Sequence, residues 1–487
     1  MSKTKNDIKN KTVSNLIWRY AERSLAQGIS FVISIILARI LSPDEYGVIA
    51  LVTVFLSIFQ VFVDSGMGNA LIQKKDADDL DFSTIFFFNV FMCLVVYGVV
   101  YVTAPFIATY YENDTLTPLV RVLGVTILIS GVKNVQQAYV SKKMIFKKFF
   151  YATLSGTVMA GVVGIFLAYK GFGVWALVAQ HIVNTVVDTL LLWITVKWRP
   201  HWKFSFARLK TMYTFGWKLL VSSLLNTIYN DVRQLIIGKV YTESDLAYYN
   251  RGKTLPHYIV NNINASINSV LLPVMADAQD DEGRLKKMTR RSIMTSSFVM
   301  WPIMIGLMAV GETFVRVLLT DKWIPSLPFL YIFCFVYGMQ PIHTANLNAI
   351  KAKGRSDIFL KMEIIKKVIG IAIILITMKM GVLAIGLGSV FYTIIASIIN
   401  AFPNRKLLRY SYLEQIKDIA PAFLLAAAMG VIVHFLPIGF MPDVLELIVQ
   451  IIAGAIIYIG GAILLKLESA EYVRNVVTHF LKRKKEA

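Results

Sequence analysis

The stretch Val13–Gly47, VSNLIWRYAERSLAQGISFVISIILARILSPDEYG, decides how the rest of the chain is read. Its apolar part, Val13 to Leu41, is long enough to cross a bilayer, for which about 20 residues suffice. Yet Arg19, Glu22 and Arg23 stand among Trp18, Leu25, Phe31 and Ile35. Arg19, Arg23 and Gln27 are spaced by four, and Ser30 and Ser34 continue the series. A helix here is polar along one face and apolar over the rest. At a rise of about 1.5 Å per residue from Val13, Arg23 lies roughly 15 Å deep. An arginine near the midplane costs at least about 2.5–3.5 kcal/mol unless it meets water, a partner or a ligand. Leu41-Ser42-Pro43-Asp44 stops the helix, and Glu45-Tyr46-Gly47 opens the next one.

The other segments extend this pattern. Of the 487 residues, 56% are hydrophobic, and the mean hydropathy is +0.60. A soluble chain of that size would precipitate, so the composition points to an all-α integral membrane protein with many spans. Fourteen apolar segments follow one another, roughly 13–40, 45–68, 82–105, 116–138, 149–169, 172–196, 213–239, 245–273, 292–312, 326–349, 358–379, 382–402, 416–437 and 443–466. None shows the alternation of a membrane barrel. Of the connections, alternate ones are basic: Lys3 to Lys11, Lys74 and Lys75, Lys142 to Lys148, Lys197 to Lys210, Arg284 to Arg291, Lys351 to Arg355, Arg405 to Lys417, and Lys482 to Lys485. The net charge of +20 is concentrated there. By the positive-inside rule both termini are cytoplasmic. The first segment is too long for a signal peptide. Cys93 and Cys334 sit in distant apolar stretches and read as small buried hydrophobes.

A repeat organises the fourteen segments. Residues 36–47 align without gaps on 236–247, with small, basic, β-branched, hydroxyl and acidic types recurring at an offset of 200. Trp18-Arg19 and Trp217-Lys218 recur at 199, and Gly173-Val174-Trp175-Ala176-Leu177 echoes Gly381-Val382-Leu383-Ala384-Ile385. Six spans between copies predict two parallel lobes, transmembrane segments 1–6 and 7–12, with segments 13 and 14 outside the repeat. The domains expected are residues 1–200, 201–410, 411–467 and a basic amphipathic tail, 468–487, on the inner leaflet.

Polar stripes mark the candidate site. Segment 2 carries Thr53, Ser57, Gln60 and Asp64. Segment 7 carries Lys218, Ser222, Asn226, Asn230 and Gln234, with Asp231 and Arg233 alongside. Segment 8 carries Arg251, Thr254, Tyr258, Asn261, Asn262, Ala265 and Ser269. Segments 7 and 8 are the repeat mates of 1 and 2, so the expectation is that the four polar faces line a cavity between the lobes. Its cations, Arg19, Arg23, Lys218, Arg233, Arg251 and Lys253, suit phosphate, for which arginine offers a planar fork. Gln27, Asn226, Asn230 and Asn261 suit hydroxyls. Glu22, Asp64 and Asp231 are acids able to couple an ion. Each has a structural alternative: Arg19 and Lys218 can snorkel, Arg233 can pair with Asp231, and Arg23 can be neutralised by Glu22 or Asp64.

Trp18-Arg19-Tyr20-Ala21-Glu22-Arg23, Leu37 to Gly47, and Asp64-Ser65-Gly66-Met67-Gly68-Asn69-Ala70-Leu71-Ile72-Gln73 resemble the N-terminal signature of Wzx-type polysaccharide exporters, in the WzxC-like branch. These belong to the multidrug/oligosaccharidyl-lipid/polysaccharide flippase superfamily. The resemblance implies a flippase of the bacterial cytoplasmic membrane that moves undecaprenyl-diphosphate-linked oligosaccharide units from the inner to the outer leaflet by alternating access. It implies a groove for the prenyl tail at segments 13 and 14, and cations that engage the diphosphate, for which Arg19, Arg23, Lys218 and Arg251 are the candidates. The expected partners are that lipid-linked oligosaccharide, membrane lipid and other polysaccharide-assembly proteins, with no nucleic acid and no cofactor or metal.

Other patterns are weaker. Asp76-Ala77-Asp78 mimics a sugar-nucleotide motif but sits in a charged loop with Lys74, Lys75, Asp79 and Asp81. The six histidines have no ligand spacing, and there is no phosphate-binding Walker loop. The competing functions are a membrane polymerase, ligase or glycosyltransferase of the same pathway, which needs a larger outer loop, and a drug extruder of the same fold, which six basic residues disfavour.

Overall fold

A computed structural model of the protein describes residues 2–64, 67–436 and 441–475. The side chains of residues 2–17, 19, 20, 215, 262, 265, 266 and 268–270 are outside the description. Arg19, Ser65, Gly66, Asn262, Ala265, Ser269 and the tail beyond residue 475 therefore lie outside the described residues.

The described chain is helical throughout, and it divides into two compact units, Met1–Ala247 and Tyr248–Ala487. The first contains α1 (Ser2–Ile40), α2 (Pro43–Asp64), α3 (Met67–Gln73), α4 (Asp79–Tyr111), α5 (Leu116–Lys143), α6 (Lys147–Tyr169), α7 (Val174–Thr195) and α8 (Phe206–Val240). α9 (Glu243–Ala276) begins in it and runs on into the second. The second then has α10 (Glu282–Ala309), α11 (Gly311–Leu319), a 3₁₀ turn (Asp321–Ser326), α12 (Leu327–Gly338), α13 (Gln340–Ala352), α14 (Ser356–Thr377), α15 (Val382–Leu407), α16 (Tyr412–His434) and α17 (Asp443–Leu464).

Among the described residues, each apolar segment of the sequence overlaps a helix, and segment 292–312 runs from α10 across Val310 into α11. Segment 326–349 is two helices, α12 and α13, interrupted at Met339 with Pro341 in the first turn of the second, where a missing backbone N–H costs nothing. Among the described residues, eleven helical stretches are long and apolar enough to cross a membrane, and the chain is a multi-pass integral membrane protein. α8, α9 and α14 are not among the eleven: α8 carries Lys218, Asp231 and Arg233 beside its amides, α9 carries Arg251 and Lys253 and then asparagines at 261, 262, 264 and 268, and α14 carries Lys361, Glu363, Lys366 and Lys367.

In the first unit α6 packs along α1 and α7, α5 along α4 and α7, and α2 against α5 and α8. One of its buried apolar clusters joins Leu71, Phe82, Ile85, Val135, Ala152, Leu192 and Trp198. Fully burying such side chains is worth about 1.5–3 kcal/mol each against water, an advantage that acyl chains reduce, so close packing has to supply the rest.

The repeated stretch has a structural counterpart. At the start of α2, Glu45 N–H donates to Ser42 Oγ at 3.3 Å and Ser42 N–H to Glu45 Oε2 at 2.7 Å. Two hundred positions on, Asp245 N–H donates to Thr242 Oγ1 at 3.1 Å and Thr242 N–H to Asp245 Oδ2 at 3.3 Å. Both are reciprocal N-terminal caps. The two turns touch: Ser244 Oγ donates to Asp44, and a Cβ on Gly47 would stand 1.9 Å from the Glu243 carbonyl oxygen. Only glycine allows that approach. α8 also packs on α2, α3 and α4, inside the first unit.

In the second unit α10 packs along α16, α12 and α13, and α15 along α12, α13 and α14. Asn346 Nδ2 donates to Gln415 Oε1 at 2.7 Å, Asn404 Nδ2 to Asn346 Oδ1 at 2.7 Å, and Gln415 Nε2 to the same Asn346 oxygen at 3.1 Å. All three residues are fully buried. This triangle fixes α13, α15 and α16 against one another, because slipping any of them orphans buried amides.

Candidate functional site

In the first unit the predicted polar face of α2 meets that of α8. Ser57 Oγ donates to Asp231 Oδ2 at 2.8 Å, and Gln234 Nε2 donates to Asp231 Oδ1 at 3.1 Å. Asp231 is therefore held between two helices by neutral donors. Lys218, Ser222, Asn226 and Asn230, each four residues from the last, are all exposed on α8, and Arg233 is half-buried. On α1, Glu22 is buried, Arg23 is exposed, and Gln27 is half-buried with an enclosed Oε1 that accepts no hydrogen bond from the protein.

Asp64 closes α2. Gln60 hydrogen-bonds to it from one turn back. Asn134 Nδ2 donates to Asp64 Oδ1 at 3.3 Å and to the Val63 carbonyl at 3.1 Å. Next to Asn134, Lys133 turns the other way and pairs with Asp188 of α7, Nζ to Oδ2 3.0 Å, the two side chains being 17% and 13% exposed. Sequence reasoning passed over Lys133, Asn134 and Asp188. The signal was available, since Lys133 and Asp188 are lone charges inside apolar segments, and an intramembrane charge marks a functional candidate.

The second unit places its candidates differently. Arg251 is only 8% exposed, with its guanidinium carbon 4.9 Å from the centre of the Trp323 ring, a cation–π seat that also satisfies a structural role. Asn261 is exposed on the next turns of α9, and Lys253 is half-buried. His257 lies against Tyr337, ring centres 5.5 Å apart. An apolar cavity of about 380 Å³ lies among α10, α16 and α17, bounded by Pro302, Leu307, Met429, Val433, Gly454 and Tyr458.

Outside the spans, Asp78 of the Asp76-Ala77-Asp78 stretch caps α4, accepting from Asp81 N–H at 3.0 Å, and pairs with Arg208. The Arg208 hydrogen bond, then that of the Asp81 backbone, holds its carboxyl down to about 2. This acid ties the loop before α4 to the start of α8. Cys93 and Cys334 are both buried thiols without a disulfide.

This arrangement of helices is similar to that of a solved flippase. The lipid II flippase MurJ, in an inward closed conformation, gives a TM-score of 0.71 at 14% identity, covering 93% of this chain and 99% of that one. Sequence narrows the class. Residues 36–328 match the family described as polysaccharide biosynthesis protein, and the chain belongs to that family. It is 24% identical to the lipopolysaccharide biosynthesis protein WzxC of Escherichia coli (strain K12) over 436 residues, 87% of this chain and 89% of that protein. It is 25% identical to the teichuronic acid biosynthesis protein TuaB of Bacillus subtilis (strain 168) over 414 residues, 82% and 84% of the two chains. The expected kinship with Wzx-type exporters is borne out.

Proposed function

We propose that the protein is a flippase, not an enzyme, that carries undecaprenyl-diphosphate-linked oligosaccharide units from the inner to the outer leaflet of the bacterial cytoplasmic membrane. The observation that carries the reading is the α8 stripe, a lysine and three hydroxyl or amide side chains exposed along a helix of a chain with this fold and family. A diphosphate-sugar head cannot cross hydrocarbon alone; cations meet its phosphates and amides its hydroxyls. Arg19, Arg23, Gln27, Lys218, Asn226, Asn230, Arg233, Arg251 and Asn261 are the headgroup contacts, with Glu22, Asp64 and Asp231 as coupling acids. The full reading has fourteen spans in two parallel six-helix lobes plus two, and both termini cytoplasmic. The apolar cavity at α16 and α17 supports a place for the tail, whose methylenes gain little by leaving lipid, so that site orients more than it attracts.

The test is translocation in liposomes with defined lipid-linked oligosaccharides. Arg23→Ala and Lys218→Ala are each expected to lower the rate about tenfold, the loss of one charge-assisted contact of about 1.5 kcal/mol. Arg251→Ala should lower thermal stability as well, since it unseats a packed guanidinium. Unchanged rates in Arg23→Ala and Lys218→Ala would remove the site; new glycosidic bonds in the product would make the protein an enzyme.

A further inference from the structure

The basic side of the first unit has more cations than acids to meet them. Between Asp114 and Asp231 the sequence holds one acid, Asp188, and Lys133 engages it. Several basic residues of that stretch are used by the protein itself. Lys142 donates to the carbonyls of Leu71 and Lys74, Arg199 to those of Trp193, Val196 and Trp198, and Arg208 pairs with Asp78. Lys148, in the first turn of α6, donates to the Thr195 carbonyl at the end of α7, which leaves two of its three N–H groups for another acceptor. Lys147 and Lys197 are exposed, and among the described residues neither meets a carboxylate. Lys147 Nζ lies 5.3 Å from the centre of the Trp18 ring and 5.8 Å from that of Tyr151.

These cations stand at the end of a groove. Leu154, Val158 and Met159 of α6 and Val187, Leu190 and Ile194 of α7 line an open apolar space of about 590 Å³. Lys147, Tyr151, Leu154 and Val158, spaced by four, three and four, share one face of α6. Ile194 precedes Thr195, where Lys148 ties the two helices. The groove therefore opens at its basic end onto Lys147, Lys148 and Lys197. α6 begins there with no side-chain cap, so its positive dipole end adds to the lysines. Apolar exposure is ordinary for a chain in a bilayer; the unneutralised charge at one end sets this groove apart. From Lys147 to Met159 the axial rise is about 18 Å, at about 1.5 Å per residue. One leaflet's share of the hydrocarbon core is roughly 15 Å. An acyl chain matches that length, and a long polyprenyl tail overruns it.

We propose that the α6–α7 groove binds one anionic phospholipid, its acyl chain between the two helices and its phosphate on Lys147, Lys148 and Lys197. On the orientation given above, that lipid belongs to the inner leaflet. A phosphate shared by the start of α6 and the end of α7 reinforces the tie that Lys148 makes between them. The site needs no glycan and does not rest on the flippase reading.

Native mass spectrometry of the detergent-purified protein, titrated with dioleoyl phosphatidylglycerol or dioleoyl phosphatidylcholine, tests it. The wild type should take up one phosphatidylglycerol at concentrations where phosphatidylcholine does not bind. K147Q/K197Q should weaken that first binding about 25-fold, at about fivefold per lysine. K203Q/K210Q removes the same charge beyond Trp202, which stacks on Phe87 of α4 at 5.2 Å, and should leave the binding unchanged. Val158→Trp fills the groove from an exposed position and should weaken the binding with every lysine in place. If that variant fails to fold, Met159→Trp replaces it. Equal weakening by the two double variants overturns the proposal in favour of diffuse surface charge. Equal uptake of the two lipids by the wild type overturns it too, as does binding untouched by the groove variant. Undecaprenyl diphosphate that displaces phosphatidylglycerol at equimolar amounts would also overturn it, giving the groove to the lipid carrier instead. Glycan transport is not part of this readout, so its failure and that of the flippase reading are separate results.

Discussion

The first unit joins two helices through a nearly buried ion pair, whereas the second joins three through buried neutral amides. Lys133 of α5 pairs with Asp188 of α7 at 3.0 Å. In the second unit Lys366 has its own acid, Glu363, at 2.5 Å, and Asn346, Asn404 and Gln415 bond reciprocally in the core. A buried network of amides fixes one packing. An ion pair between two helices holds through charge, so it fails when either partner is lost. The difference ties α5 to α7 by charge and α13, α15 and α16 by amide hydrogen bonds.

Four measurements break or sharpen that contrast. Lys133→Met should destabilise the protein by about 3–5 kcal/mol, because it strands a buried carboxylate, and adding Asp188→Asn should restore most of the loss. Thermal melting of the single and double variants decides it; an equal loss in both would mean the pair matters through packing alone. Asn346→Leu should cost roughly 1–3 kcal/mol per orphaned amide, with no rescue from one second-site change, since Asn404 and Gln415 are both left short. Third comes the Asp78–Arg208 tie. The Asp78 carboxyl is held down to about 2 from its ordinary 3.8, so its stabilisation is full above the ordinary value and is lost as pH falls from there toward about 2. Acid titration of wild type against Asp78→Asn should show that component vanish in the variant, with the two curves converging at the acid end. The smallest effect belongs to Ser244→Ala, about 0.5–1 kcal/mol, read by melting temperature.

Much of this was legible in the chain. The repeat at offset 200 turned out to be a pair of matching helix caps, because Ser42-x-x-Glu45 and Thr242-x-x-Asp245 encode the same local hydrogen bonds. The apolar segments overlap helices among the described residues, since apolar length is a local property. The stripe on α8 was readable because four-residue spacing puts Lys218, Ser222, Asn226 and Asn230 on one face. What stayed hidden was pairwise. Nothing in the spacing says that Lys133 reaches Asp188, fifty-five residues away, or that Arg251 lies over Trp323. The Asp76-Ala77-Asp78 stretch needed its partner too, as its second acid is a cap only with Asp81 and a tie only with Arg208.

The contact between the two repeated turns has a consequence for biogenesis. Asp44 and Ser244 are 200 residues apart, as Gly47 and Glu243 are nearly so. Chains are completed from the N-terminus, at about 5–20 residues per second. The turn after α1 must then wait through the insertion of the intervening helices, its acid and its glycine uncovered, until the ribosome delivers the start of α9.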